Sequence, residues 1–134
     1  GYNAIAETTE TVFDGDVVDR QGELGTVETT AGTVRALVPP EGVSMEVVLR
    51  ADAVTLHDPA DAPAGSETSA RNRFSGEVVG VDRGEAVCRV SVDVGADTPL
   101  VALVTEESRE RLSLEPGREV VASFKATATR ATLR

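Results

Sequence analysis

The chain has 134 residues, 40% of them hydrophobic and 3% aromatic, with 23 acidic against 13 basic side chains and a formal net charge of −10. That length makes one ordinary domain or two small ones, and a Val- and Gly-rich sequence with few aromatics leans towards β structure. The charge repels a phosphate backbone and an anionic membrane surface, which argues against nucleic acid and membrane insertion, and no apolar run approaches the ~20 residues that span a bilayer.

Cys88 is the single cysteine, so neither an internal disulfide nor an oxidising compartment is indicated. The sequence opens at Gly1 with no initiator Met and no signal-peptide pattern, which predicts a piece of a longer protein. Lys125 is the only lysine among the 13 basic residues. Carboxylate-rich surfaces hold hydration in concentrated salt, where charge repulsion is screened within a few ångström. The composition resembles that of proteins from salt-loving archaea; an acidic protein of a GC-rich genome is the alternative.

In chain order, the first element is a strand opening on Phe13-Asp14-Gly15-Asp16-Val17-Val18, and the same pattern returns as Phe74-Ser75-Gly76-Glu77-Val78-Val79. Further on, Arg50-Ala51-Asp52-Ala53 lines up with Lys125-Ala126-Thr127-Ala128. The chain is therefore an internal repeat. Between the copies lies HDPADAPAGSET, residues 57 to 68, a Pro-, Gly- and acid-rich linker. The division is a first half over 1–58, a linker over 59–68 and a second half over 69–134. His57, at the linker edge without a Cys or second His nearby, reads as a plain surface residue, and no zinc-type metal site is visible.

In the second half, Ala86, Cys88, Val90, Val92 and Val94 alternate with Val87, Arg89, Ser91 and Asp93, the period of a half-buried strand, with Cys88 packed in the core. Thr105 to Leu112 begins with a capping residue, carries acids in its first turn and stops before Pro116-Gly117, which predicts a short helix. Phe13 to Arg50 is 37 positions and Phe74 to Lys125 is 51; the helix and its flanks fill the difference. The fold class is all-β: two small barrels of the oligonucleotide/oligosaccharide-binding type, the second with one short helix. The aromatic platforms that such barrels use to stack bases or sugars are missing.

Three stretches supply hydrogen-bond donors and almost no acceptors: Ser69-Ala70-Arg71-Asn72, Thr105 to Ser108, and Lys125-Ala126-Thr127. A tetrahedral oxyanion needs such a set, because its oxygens accept hydrogen bonds and its charge is favoured beside Lys and Arg. A compact ammonium also suits a small tetrahedral anion better than the planar fork of arginine. In the first half the equivalent positions carry Thr8 for Ser69, Glu10 for Arg71, Arg50 for Lys125 and Asp52 for Thr127. Carboxylates there repel a divalent anion, so the first half is expected to be degenerate, with Arg50 and Asp52 paired locally.

SARNRFSGEVV, VTEESRERLSLEPGREV and SFKATATRATL resemble the Mop-type molybdate-binding domain, also called the TOBE domain, over the whole second half. The first half is similar to the segment that follows the nucleotide-binding domain in ATP-binding subunits of ABC importers. The resemblance implies the C-terminal regulatory region of a molybdate/tungstate importer ATPase. It carries over Ser69, Arg71, Thr105, Ser108, Lys125 and Thr127 as oxyanion contacts, with Asn72 and Ala126 of the same motifs as further oxyanion-binding residues. It also implies a homodimer with the site at the subunit interface. The other implied partners are the ATPase domain of the same chain and the permease subunits, in a cytoplasmic setting held at the membrane through the transporter.

The family often has Asn where this chain has Glu106, and a carboxylate pointing inward there would oppose an anion. No P-loop Gly-x-x-x-x-Gly-Lys-[Ser/Thr] occurs, so ATP hydrolysis is not expected of these residues. Beyond the bound oxyanion no cofactor is implied. The expected role is a sensor of molybdate or tungstate. The alternatives are a ligand-free dimerisation module, or a molybdate store or regulator effector domain.

Overall fold

The computed structural model describes residues 9–61 and 71–134. The first half contains β1 (Glu10–Gln21), β2 (Leu24–Thr29), β3 (Gly32–Leu37), β4 (Ser44–Arg50), a 3₁₀ turn over Ala51–Ala53 and the short β5 (Thr55–His57). The second contains β6 (Arg71–Arg83), β7 (Val87–Asp93), β8 (Leu100–Thr105), the helix α1 (Glu106–Leu112), β9 (Glu119–Lys125), a 3₁₀ turn over Ala126–Ala128 and β10 (Thr129–Leu133). The all-β architecture with one short helix is as the sequence predicts.

The repeat is visible strand by strand. Long β1 pairs with both β4 and β2, as long β6 pairs with β9 and β7. Each long strand carries a bulge at the same place, between Val17 and Asp19 and between Val78 and Gly80. The glycine of the repeated motif has a steric cause: a Cβ would stand 2.6 Å from the Glu28 carbonyl oxygen at Gly15, and 2.5 Å from that of Asp93 at Gly76. Only a residue without a side chain lets the partner strand approach so closely.

The last strand of each half lies in the sheet of the other. A closed barrel runs β1-β2-β3-β10-β4, and a second sheet runs β5-β9-β6-β7-β8. β10 pairs antiparallel with β4 from Thr129↔Leu49 to Leu133↔Met45 and meets β3 in parallel at Arg130↔Leu37. β5 pairs with β9 from Thr55↔Ser123 to His57↔Val121. The apolar residues of both halves form one core, with Phe13, Val34 and Leu49 in the same cluster as Val90, Leu100 and Phe124. Leu56 of β5 and Ala131 of β10 join it, at 5% and 4% exposure. Burying Leu56 alone contributes about 1.5–3 kcal/mol to the exchange. The ion pair of Arg118 with Asp58, at 2.6 Å, ties the end of the first half to the second.

α1 is short but well delimited. The Thr105 hydroxyl accepts from the Ser108 N–H at 3.1 Å, capping the helix start. The helix ends at Ser113, in the left-handed region with φ 53°. Leu112 and Leu114, both buried, anchor its end on the core.

Candidate functional site

β6 starts at Arg71, which faces Lys125, the last residue of β9, across the antiparallel ladder. Like charges directly opposite on a sheet repel each other. Among the described residues, neither Arg71 nor Lys125 has a carboxylate within ion-pairing distance. After Lys125 the chain turns through Ala126–Ala128, with Ala126 buried and Thr127 exposed. The Thr129 hydroxyl holds this turn by donating to the Lys125 carbonyl at 2.9 Å. Arg71, Lys125, Ala126 and Thr127 are thus brought to one end of the second sheet.

Arg71 Nη1 donates a long hydrogen bond, 3.4 Å, to the Ser123 hydroxyl. That buried hydroxyl is also 2.7 Å from His57 Nε2. Here the structure departs from the sequence reading, because His57 is half-buried on β5 against β9 rather than a plain surface residue. Burial first, then the neighbouring Arg71 and Arg73, hold its pKa below the ordinary histidine value.

Asn72 is occupied differently. Its side-chain carbonyl accepts from the Arg35 N–H and its amide donates to the Arg35 carbonyl, both at 2.8 Å. Asn72 thereby fills in for a strand residue beside β3 and clamps the first barrel to the start of β6. The clamp has a lighter counterpart in the other half, where the Thr11 hydroxyl accepts from the Val101 N–H at 3.0 Å.

Thr105 and Ser108 stand together at the far end of β6, with the Thr105 hydroxyl donating to Ser108 Oγ at 3.0 Å. Thr105 pairs with Val87, and β6 reaches that part of β7 through Arg83↔Cys88. No hydrogen bond among the described residues joins this pair to Arg71 or Lys125. Ser69 lies outside the described residues.

Glu106 does not point a bare charge at the helix start. Its Oε1 accepts from Arg83 at 2.6 Å and from Arg109 at 2.6 Å, and its Oε2 from the Cys88 thiol at 3.0 Å. The hydrogen bonds from Arg109, then Cys88 and Arg83, pull its pKa down to about 2. Burial, then the Glu106 carboxylate, push the Cys88 thiol up, so Cys88 sits in the core as a protonated donor.

The sequence reading missed Arg35 and Ser123 and misread His57. A signal for Arg35 exists, since Val34 and Ala36 alternate around it and turn inward, leaving Arg35 on the outer face of β3. Among the described residues, no group of His, Cys, Asp and Glu is arranged to hold a metal ion, and no helix is long and apolar enough to cross a membrane.

The TOBE domain family model matches residues 68–131. The chain is 32% identical over 120 residues to the molybdate/tungstate import ATP-binding protein WtpC of Pyrococcus abyssi, which covers 89% of this chain but only 30% of that protein. It is 37% identical over 59 residues to a probable molybdenum-pterin-binding protein of Haemophilus influenzae, covering 44% of this chain and 86% of that one. A crystal structure of the cytoplasmic molybdate-binding protein ModG, with molybdate bound, superposes with a TM-score of 0.79 over 92% of this chain and 96% of the other, at 24% identity. That likeness is one of fold. With the repeat, the two five-stranded sheets and the aligned relatives in hand, the chain belongs to the TOBE-domain family.

Proposed function

We propose that this chain is an oxyanion-binding module for molybdate or tungstate, a sensor rather than a catalyst. The observation that carries the reading is the Arg71–Lys125 pair. These two cations are cross-strand neighbours without a carboxylate partner among the described residues, in a chain of net charge −10. A tetrahedral dianion neutralises both, and Thr127 supplies a hydroxyl beside them. WtpC is a molybdate/tungstate import ATP-binding protein and the Haemophilus relative a probable molybdenum-pterin-binding protein, which supports a molybdenum-type ligand.

Thr105 and Ser108 stand at the other end of β6, so in our reading a second copy of the chain brings its own Thr105–Ser108 pair against Arg71 and Lys125. The alignment with WtpC runs through both halves and favours a regulatory region on an importer ATPase, facing the cytoplasm. Binding would then bias one arrangement of the paired regions, by no more than the differential affinity of the anion for the two. The acidic, lysine-poor composition supports work in concentrated salt.

Calorimetry on anion-free protein tests the reading: molybdate and tungstate should bind saturably and sulfate more weakly. Bound anion should stabilise the fold by about 2.7 kcal/mol at a hundredfold excess over Kd. Absence of both heat and stabilisation would leave the ligand-free structural module. Light scattering should show a dimer whose association tungstate strengthens; a monomer that binds tungstate at unchanged mass rules out the shared site.

A further inference from the structure

We propose that Arg35, a residue of the first half, is a further oxyanion contact that completes the Arg71–Lys125 site; the inference rests on the functional reading above. The Asn72 side chain grips the Arg35 backbone by two 2.8 Å hydrogen bonds. Asn72 adjoins Arg71 and pairs with Phe124, the residue before Lys125. β3 also packs against the Ala126–Ala128 turn that follows Lys125. The clamp therefore holds the Arg35 backbone against the start of β6, one residue from Arg71, although 36 sequence positions separate Arg35 from Arg71.

The side chain itself points to a missing partner. Arg35 Nε is buried and has no hydrogen-bond partner, alone among the buried side-chain nitrogens and oxygens of the described residues. Among the same residues no carboxylate pairs with the Arg35 guanidinium. An unsatisfied buried donor is a cost that a fold ordinarily removes. It is retained sensibly where an anion arrives to accept from it, because a charge-assisted bond in a sheltered position is among the stronger ones.

The pseudo-equivalent clamp supports this. Where Asn72 grips Arg35, Thr11 grips Val101, so the first-half counterpart of the site lacks this third cation as well as the first. In the proposed site Arg35 joins Arg71 and Lys125 in a set of three cations drawn from both halves. Neither half in isolation contains it.

The test compares wild type with Arg35→Met, which keeps the aliphatic stem and removes the charge, by calorimetry with sodium molybdate and by thermal melting without anion. The expected result is a molybdate affinity lower by about tenfold to a hundredfold, a shallower salt dependence of binding, and an anion-free melting temperature equal to or above that of wild type. Wild-type binding with undiminished affinity in Arg35→Met overturns the inference and leaves the functional reading standing. No binding by wild type overturns the functional reading itself. Should Arg35→Met fail to fold, Arg35→Gln serves in its place with the same expected loss, and undiminished affinity there counts equally against the proposal.

Discussion

Two ends of this molecule are built on one plan and carry opposite chemistry. At the start of β6, Arg71 faces Lys125; at the start of β1, Glu10 faces Arg50 in the equivalent ladder position. The 3₁₀ turn after Lys125 carries Thr127, and the turn after Arg50 carries Asp52. Asp52 takes both oxygens to the Arg50 guanidinium at 3.0 and 2.8 Å, which lowers its pKa. One end thus neutralises its cation internally, while the other holds its cations without a carboxylate partner among the described residues. The backbone is kept and the sign of the local field is changed, so the fold is the constant and the ligand chemistry the variable.

The largest expected effect sets one end against the other. Arg71→Ala with Lys125→Ala should weaken tungstate binding by more than about a hundredfold, since each charge-assisted bond contributes about 1.5–3 kcal/mol. Arg50→Ala should leave the stoichiometry unchanged. One tungstate per chain retained by the folded double variant would move the site elsewhere, to the first half or to the seam.

A smaller difference is expected between the two clamps. Asn72→Ala strips partners from both the N–H and the carbonyl of Arg35 and should cost about 2–3 kcal/mol, whereas Thr11→Val leaves only the Val101 N–H unpaired and should cost about 1 kcal/mol. Urea titration of the two variants measures the gap. Equal losses would mean that the Asn72 bridge is no stronger than its counterpart.

The smallest effect separates the exchanged strands by pH. The folded pKa of His57 lies below its ordinary 6.5, so the unfolded chain takes up more protons as pH falls past that value. The contribution of His57 to stability is complete above pH 6.5 and is lost as pH falls towards the folded pKa. His57→Gln should flatten the melting temperature between about pH 7.5 and 5.5. Glu106 acts in a separate window, stabilising above its ordinary 4.5 and losing that contribution as pH falls to about 2. Identical profiles for wild type and His57→Gln between pH 7.5 and 5.5 would show that burial of His57 on β5 has no protonic consequence.

Much of this was legible in the sequence. The Phe-x-Gly-x-Val-Val repeat marked both long strands, the capping pattern marked α1, and the alignment of Arg50 with Lys125 anticipated the Arg50–Asp52 pair. The exchange of β5 and β10 was not legible, because alternation reports which face of a strand is buried and is silent on which edge it joins. His57 was misread for that reason, since its burial and its bond to Ser123 exist only once β5 lies against β9. Arg35 was hidden likewise, as no local pattern ties β3 to the start of β6.

The exchange of final strands makes the linkage between the halves topological as well as covalent. Each half folded alone would present β4 or β9 with a vacant edge and carry a terminal segment with nothing to cover it. Such a piece satisfies itself most readily by trading that segment with another like it. Severing the backbone between His57 and Arg71 would therefore not release two independent bodies, because each fragment would still be threaded into its neighbour's sheet. The intact chain is in effect an intertwined dimer of its own ancestors, its two copies free to diverge in charge while neither can leave the other.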